Sequence, residues 1–141
     1  MTERYGRKSG SFELQLAEFA AQANGAVDVS LREIIVKIGM SLISMSPVDT
    51  GRFRGNWQFS IAAPAVGTLD TLDPTGEQAT ARLVGDSIEF RAGSTAFIVN
   101  NLPYAIPLEY GHSDQAPGGM VRITQARFQQ IVEEAIRNNQ V

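Results

Sequence analysis

The sequence contains no cysteine and a single histidine, His112. Without cysteine there is no disulfide framework, thiol nucleophile or cysteine-based zinc site. One histidine excludes the multi-histidine metal motifs. No apolar run approaches the roughly 20 residues that a membrane-spanning helix needs. We therefore expect a protein without a metal, a cofactor or a membrane span.

Positive charge is also scarce. The chain has 12 Lys and Arg against 15 Asp and Glu, a formal net charge of -3, and a pI near 5.1. This balance argues against general affinity for nucleic-acid backbones. The charged N-terminus is not followed by an apolar segment, so no secretory signal is predicted. At 141 residues we predict a single domain over 1–141, soluble and made in the cytoplasm.

The first third of the chain has a helical pattern. Residues 1–11 are polar and predict a mobile arm, or an edge segment that enters the fold. Residues 12–24 predict a short helix closed by Asn24-Gly25, with a strand over 11–16 as the alternative. Residues 27–46 predict a long helix, because apolar side chains recur at helical spacing over four turns. Its apolar surface is wide, so we expect it to lie between a sheet and a helix, or against another subunit.

The long helix leads into the segment SPVDTGRFRGNW, residues 46–57. Pro47 lacks an N–H group and ends the helix. Asp49 is predicted to cap the following turn through backbone N–H groups, and Gly51 tolerates a positive φ there. Arg52 and Arg54 are predicted to point to one side of the new strand and to reach salt-bridge partners within or between subunits.

The remainder predicts a small sheet and a terminal helix. Strand patterns cover 53–62, 79–84, 87–92 and 95–99, with hairpin turns between the last three. Residues 63–78 predict a long flexible loop, and 100–119 an irregular loop. Residues 120–138 predict a helix. The expected fold class is α+β: a long central helix on an antiparallel sheet of about four strands, with a short N-terminal and a C-terminal helix.

Arg122 is the most informative charged residue. It falls in the first turn of the terminal helix, where the helix dipole disfavours a cation. We therefore predict a carboxylate partner for it, either Glu109 or an acid of a neighbouring chain. As a less favoured alternative, Arg52, Arg54 and Arg122 together would contact nucleic acid.

A hydrolase is the third alternative, and the least favoured. His112, Ser113 and Asp114 are triad residue types, but neighbours in sequence cannot adopt the relay geometry of a triad. His112 would instead have to act with Asp49 or Glu109. The bland interpretation, a polar loop with local side-chain to backbone bonds, is preferred, and we predict no catalytic residue.

Two segments resemble a known family. Pro47 to Arg54 after a long helix resembles the PVDTGxLR pattern of small neck and tail-component proteins of tailed bacteriophages. Tyr104-Ala105 followed by Glu109-Tyr110-Gly111 resembles the YAxxxExG segment of the same family. Residues 113–122, leading into a terminal helix, fit its ending. The resemblance covers roughly residues 27–138.

The resemblance implies a structural protein of the virion neck or tail and no enzymatic activity. Such proteins act as tail completion, tail terminator or head–tail joining components, and form rings that are often hexameric. The implied partners are further copies of the chain and tail-tube, terminator, stopper or connector proteins, while DNA passes through without specific binding. By position, the structural and interface motif comprises Asp49, Thr50, Gly51, Arg52, Arg54, Trp57, Tyr104, Glu109, Tyr110, Gly111 and Arg122.

Two physical features agree with this interpretation. Open edges of an antiparallel sheet can extend from subunit to subunit, which a ring would close. An acidic protein also repels phosphates, which suits a passage through which DNA must slide.

Overall fold

A computed structural model describes residues 10–111, 113–116 and 118–140, with side chains from Gly25 onward. The chain forms α1 (Gly10–Met45), a single 3-10 turn (Arg54–Asn56), β1 (Trp57–Ile61), α2 (Glu77–Ser87), β2 (Ala96–Asn100), α3 (Ala105–Glu109), α4 (Val121–Ala126) and α5 (Phe128–Asn138). The architecture is therefore mixed helix and sheet, roughly α+β, as expected.

The first helix is longer than predicted. The two helices predicted over 12–24 and 27–46 are one continuous helix of 36 residues, about 54 Å long at 1.5 Å per residue. Asn24-Gly25 does not end it, because each residue costs only about 1 kcal/mol or less in a helix interior. Residues 10 and 11 belong to this helix, and the alternative strand over 11–16 is wrong. The rest of the predicted arm, 1–9, lies outside the described residues.

The central helix is sandwiched, as predicted. Its buried residues Ile35, Leu42 and Ile43 join one hydrophobic core with residues of β1, α2 and the segment before α4. On the other side it contacts α4 and α5. Lys37 of α1 lies 3.2 Å from both Glu33 of the same helix and Glu134 of α5. The covering comes from the sheet and helices of the same chain.

The sheet has two strands, not four. β1 and β2 pair antiparallel, from Trp57 opposite Asn100 to Ile61 opposite Ala96. β1 falls within the predicted strand 53–62, although 54–56 forms a 3-10 turn, and β2 overlaps the predicted strand 95–99 but extends one residue further, to Asn100. The predicted strands 79–84 and 87–92 are wrong: α2 runs through the first and ends at Ser87, and turns follow to residue 94.

Helical periodicity explains the error. The buried residues of α2 are Ala79, Leu83 and Ser87, which are spaced by four and share one helix face. Leu83 packs in the core beside α1. The short apolar alternation used to predict strands was therefore a fragment of a helical pattern.

The terminal helix is divided in two. A non-helical residue, Arg127, separates α4 from α5, where the prediction was one helix over 120–138. Thr124 is buried in α4, and its hydroxyl oxygen lies 2.7 Å from that of Ser41 on α1. The break thus lies next to a buried polar contact with the central helix.

The two predicted loops, 63–78 and 100–119, contain ordered contacts and a short helix. In the first loop, Asp73 is 2% exposed, and its Oδ2 accepts a 2.9 Å hydrogen bond from the N–H of Ala79, capping α2. The second loop contains α3, so it is irregular only in part. Among the helices in the described ranges, none is both long enough and apolar enough to cross a membrane.

Candidate functional site

The two family-like segments, 46–57 and 104–122, contact each other directly. The side-chain amide of Gln115 accepts the N–H of Val48 at 2.9 Å and donates to its C=O at 3.1 Å. The Phe53 and Tyr104 rings pack with centroids 6.0 Å apart. We call this assembly of both segments the motif junction.

Arg54 closes the end of α1. Its guanidinium donates to the C=O groups of Ser44 at 3.1 Å, Ser46 at 2.8 Å and Pro74 at 2.8 Å. The last C=O groups of a helix lack intrahelical partners and carry partial negative charge. Within the described ranges Arg54 makes no ion pair; it caps the helix and ties it to the first loop. A salt bridge from Arg54 to a neighbouring subunit stays a prediction.

A hydrogen bond between Ser46 and Trp57 connects the end of α1 to β1. The Ser46 hydroxyl is 1% exposed; it donates to the C=O of Leu42 at 2.7 Å and accepts the indole Nε1–H of Trp57 at 2.7 Å. Phe53 packs edge-on against Trp57 at a centroid distance of 5.9 Å. Trp57 is therefore a buried anchor with its polar atom satisfied.

Gly51 is required by both backbone conformation and space. Its φ is +92°, a region that side chains disfavour. A Cβ atom there would come within 2.7 Å of the Asp73 backbone. The Gly51 C=O accepts the N–H groups of Asp73 and Gly55, each at 3.0 Å. The turn of the first family-like segment thus docks onto the loop that precedes α2.

Asn56 is an anchor that the sequence analysis missed. Its side chain is 0% exposed. Its amide nitrogen donates to the C=O of Arg52 at 2.7 Å and of Leu69 at 2.9 Å, and its oxygen accepts the N–H of Leu69 at 2.7 Å. The available signal was a single amide between Gly55 and Trp57 at the start of an aromatic strand.

The hydrogen bonds of Asp49, Thr50 and Arg52, on the exposed side of the turn at Gly51, differ in part from the prediction. The Asp49 carboxylate is exposed and makes no hydrogen bond or ion pair with the residues the structure describes, so its predicted capping role is wrong. The Thr50 hydroxyl accepts the N–H of Arg52 at 3.3 Å instead. Arg52 lies 3.7 Å from Asp70, which confirms its predicted salt bridge. That pair is exposed and stabilises little.

Glu109 caps α4. Its Oε1 accepts the N–H groups of Met120 and Val121, both at 2.8 Å, and its Oε2 accepts the N–H of Arg122 at 2.9 Å. The Arg122 Nε lies 3.1 Å from Oε2, and its guanidinium also donates to the Glu109 C=O. The predicted pairing of Arg122 with Glu109 is confirmed, and the carboxylate offsets the unfavourable position of the arginine.

Hydrogen bonding controls the charge state of Glu109. Burial alone would raise the pKa of this carboxyl, but the N–H groups of Val121, Arg122 and Met120, together with the Arg122 side chain, lower it below its ordinary value. The charged carboxylate is thus favoured, because its acceptors are satisfied. Gly119 makes room for it, since a Cβ there would come within 2.8 Å of the Glu109 carboxyl carbon.

Tyr110 and Gly111 follow this cap. Gly111 adopts a φ of +87° directly after α3. The Tyr110 side chain is 66% exposed, and the Arg122 guanidinium carbon lies 4.8 Å from the centre of its ring. Tyr110 therefore stands at the surface of the motif junction, supported by a cation–π contact.

A shallow apolar groove borders the motif junction. It has a volume of about 460 Å³ and runs between β2, α3 and α4. Its lining includes Ile98, Asn100, Ile106, Tyr110 and Val121. Ile106 and Val121 are exposed, so apolar side chains meet solvent along this groove.

The three arginines of the nucleic-acid alternative have other partners. Arg52 faces Asp70 and a backbone C=O, Arg54 caps α1, and Arg122 pairs with Glu109. The hydrolase alternative rests on His112, which lies outside the described residues. In the described part of the chain, no group of three or more His, Cys, Asp or Glu side chains is placed to hold a metal ion.

Comparison with protein-family models, with curated proteins and with solved structures finds no match to this chain.

Proposed function

We propose that this chain is a structural protein of a tailed-phage virion, a ring-forming tail completion, tail terminator or head–tail joining component between tail tube and connector. One observation carries the proposal: the two family-like segments, far apart in sequence, pack into a single motif junction. The contacts between Val48 and Gln115 and between Phe53 and Tyr104 join them. The two segments that carry the resemblance thus form one structural unit of this chain.

The residues of the motif junction divide into two groups. Gly51, Trp57 and Glu109 face inward and hold backbone groups. Asp49 and Tyr110 face solvent, where fold stability does not explain them. Exposed aromatic residues are enriched at protein interfaces. We assign the outward group to contacts with neighbouring subunits or with the proteins above and below the ring.

Deleting the coding sequence from the phage genome that carries it tests the proposal. We expect lysates with filled heads and separate tails when imaged by electron microscopy, and joined particles again when the chain is supplied in trans. We also expect the chain in purified wild-type particles by mass spectrometry. Joined, infectious particles that lack the chain would refute the virion role.

Point variants test the interface assignment. Asp49→Ala should leave the free energy of unfolding within about 0.5 kcal/mol of wild type, as exposed substitutions usually do, and Tyr110→Ala within about 1 kcal/mol, because it loses the cation–π contact. Both variants should reduce the yield of joined particles. Glu77→Ala, an exposed acid on α2, is the matched control and should keep full yield. Normal yield from both junction variants would remove Asp49 and Tyr110 from the interface.

A further inference from the structure

The two edges of the sheet are not equivalent. The N–H of Ala62 donates to the C=O of Thr95 at 2.8 Å, one position beyond the pair of Ile61 and Ala96. Hydrogen-bonded and non-hydrogen-bonded pairs alternate in an antiparallel ladder. The backbone groups of Ala96, Ile98 and Asn100 therefore point away from β1, toward the outer edge of β2.

The outer edge of β1 is partly occupied. Arg82 of α2 donates to the C=O of Gly55 at 2.7 Å and of Trp57 at 3.4 Å. At the outer edge of β2, no residue in the described ranges bonds to the N–H or C=O of Ala96 or Ile98. β2 is thus the open edge.

Within the described residues, the open edge lacks three common protections of edge strands, namely a charged side chain, a proline and a bulge. Exposed edge strands normally carry charged side chains, proline or a bulge that prevents pairing with another chain. Residues 92–108 hold no charged side chain, the longest such run in the sequence, and the strand itself reads AFIVN. An uncharged, β-favouring strand with free backbone groups is a template for a further strand.

The charge of the groove beside β2 indicates which kind of strand would pair with the open edge. The groove beside β2 has one acid and one base in its lining, Glu109 and Arg122, and they neutralise each other as an ion pair. A charged strand would gain nothing there and would lose hydration. An uncharged, apolar strand suits it, and the longest uncharged run of this chain is the one that contains β2.

We propose that a second copy of this chain adds its β2 to the open edge, antiparallel and about a two-fold axis at Ile98. Ile98 then lies opposite its own symmetry mate, and Ala96 lies opposite Asn100 of the second copy. In this register all the outward N–H and C=O groups pair, and Phe97 faces Val99 of the second copy. Aromatic and β-branched side chains are favourable cross-strand neighbours.

The product is an isologous dimer with one four-stranded sheet. It concerns the free chain in solution and does not rest on the proposed ring. A monomeric chain would not change the expected result of the deletion experiment. A failed deletion experiment would likewise not exclude the dimer.

Val99→Lys tests the seam. The two-fold places the new charge twice at the seam, each next to Phe97 of the other copy. We expect the dimer dissociation constant from sedimentation equilibrium to rise at least tenfold, about 1.4 kcal/mol. Gln58→Lys is the matched control, because Gln58 pairs with Val99 on the same face of the sheet but lies on β1, away from the seam. It should dimerise like wild type.

Single cysteines test the register in a chain that has none of its own. Ile98→Cys would face its symmetry mate at a Cα separation near 5.5 Å, within disulfide range, and should form a covalent dimer under mild oxidation. Gln58→Cys would lie three strand spacings across and two residues along the strand from its mate, about 16 Å away, and should not. Unfolding curves confirm that both variants are folded.

Three results would overturn the proposal. Wild type that stays monomeric at about 1 mM would exclude the dimer. A dimer that Val99→Lys leaves intact would place the interface elsewhere. Cross-linking of Ile98→Cys to a Phe59→Cys copy, without Ile98→Cys self-linkage, would show head-to-tail pairing of β2 with β1.

Discussion

The cap formed by Glu109 gives the sharpest stability prediction. Glu109→Gln keeps the size of the side chain but removes the charge and replaces one carboxylate oxygen by an NH₂ group. The two oxygens accept three backbone N–H groups and the Nε–H of Arg122. At least one of these donors then faces another donor at the start of α4.

The magnitude follows from known costs. Loss of an N-cap costs about 1 kcal/mol, the charge–dipole interaction contributes about 0.3–1 kcal/mol, and a hydrogen bond to a charged group about 1.5–3 kcal/mol. These overlap, so we expect a total of about 2 kcal/mol. The Glu109 side chain is only 14% exposed, so solvent screening is small. For a chain of this size, that corresponds to about 6–8 °C in Tm.

The pH dependence of the unfolding free energy distinguishes the contribution of the Glu109 charge from that of its packing. The folded pKa of Glu109 lies below the ordinary value of 4.5, so between the two the unfolded chain binds more protons. The stabilisation is therefore complete above about pH 4.5 and is lost as the pH falls through the folded pKa. The difference between wild type and Glu109→Gln should be largest at pH 7 and shrink on acidification.

Urea unfolding followed by fluorescence is a suitable assay, because Trp57 is the single tryptophan and is buried. Glu77→Gln is the control: Glu77 is also an acid in the first turn of a helix, but it is exposed. It should cost less than about 0.5 kcal/mol. A Glu109→Gln cost equal to this control, or one independent of pH, would refute the capping argument.

Two further predictions concern the turn and the helix end. Gly51→Ala should lower the free energy of unfolding by about 1–3 kcal/mol more than Gly67→Ala, because both have positive φ but only at Gly51 would the added Cβ also press against backbone. Equal costs in thermal unfolding would exclude the predicted contact. Ser46→Ala leaves the Trp57 indole N–H buried without its acceptor and should cost about 1–3 kcal/mol in urea unfolding; an unchanged midpoint would contradict it.

The sequence was sufficient for elements with long, strong patterns. The helical state of residues 27–45 is predictable because apolar residues recur over four turns, and Pro47 marks the helix end, although the start at Gly10 is not predicted. The pairing of Arg122 with Glu109 was also predictable, since a cation at a helix start needs a compensating acid. These features depend on local rules that tertiary context does not reverse.

The errors arose where the local pattern was short or depended on distant contacts. The strands predicted in 79–92 came from alternations of a few residues, which do not distinguish strand from helix. Thr75 followed three residues later by Gln78 was an available helix-start pattern. The actual cap on Ala79 comes from Asp73, which is buried only after the loop folds back. That burial is a tertiary contact.

The contrast between Asp49 and Asp73 shows why motif position alone assigns roles poorly. The sequence placed the cap at Asp49 in the turn, yet the buried, hydrogen-bonded aspartate is Asp73 in the loop that docks onto Gly51. A carboxylate that makes no hydrogen bond or ion pair with the described residues is freer to serve an interface. Asp49 is therefore the better residue for testing assembly, and Gly51 the better one for testing folding. Segment 46–57 contains both a residue that the turn needs, Gly51, and an exposed residue, Asp49. A change that destabilises the turn would therefore also displace the exposed surface around Asp49.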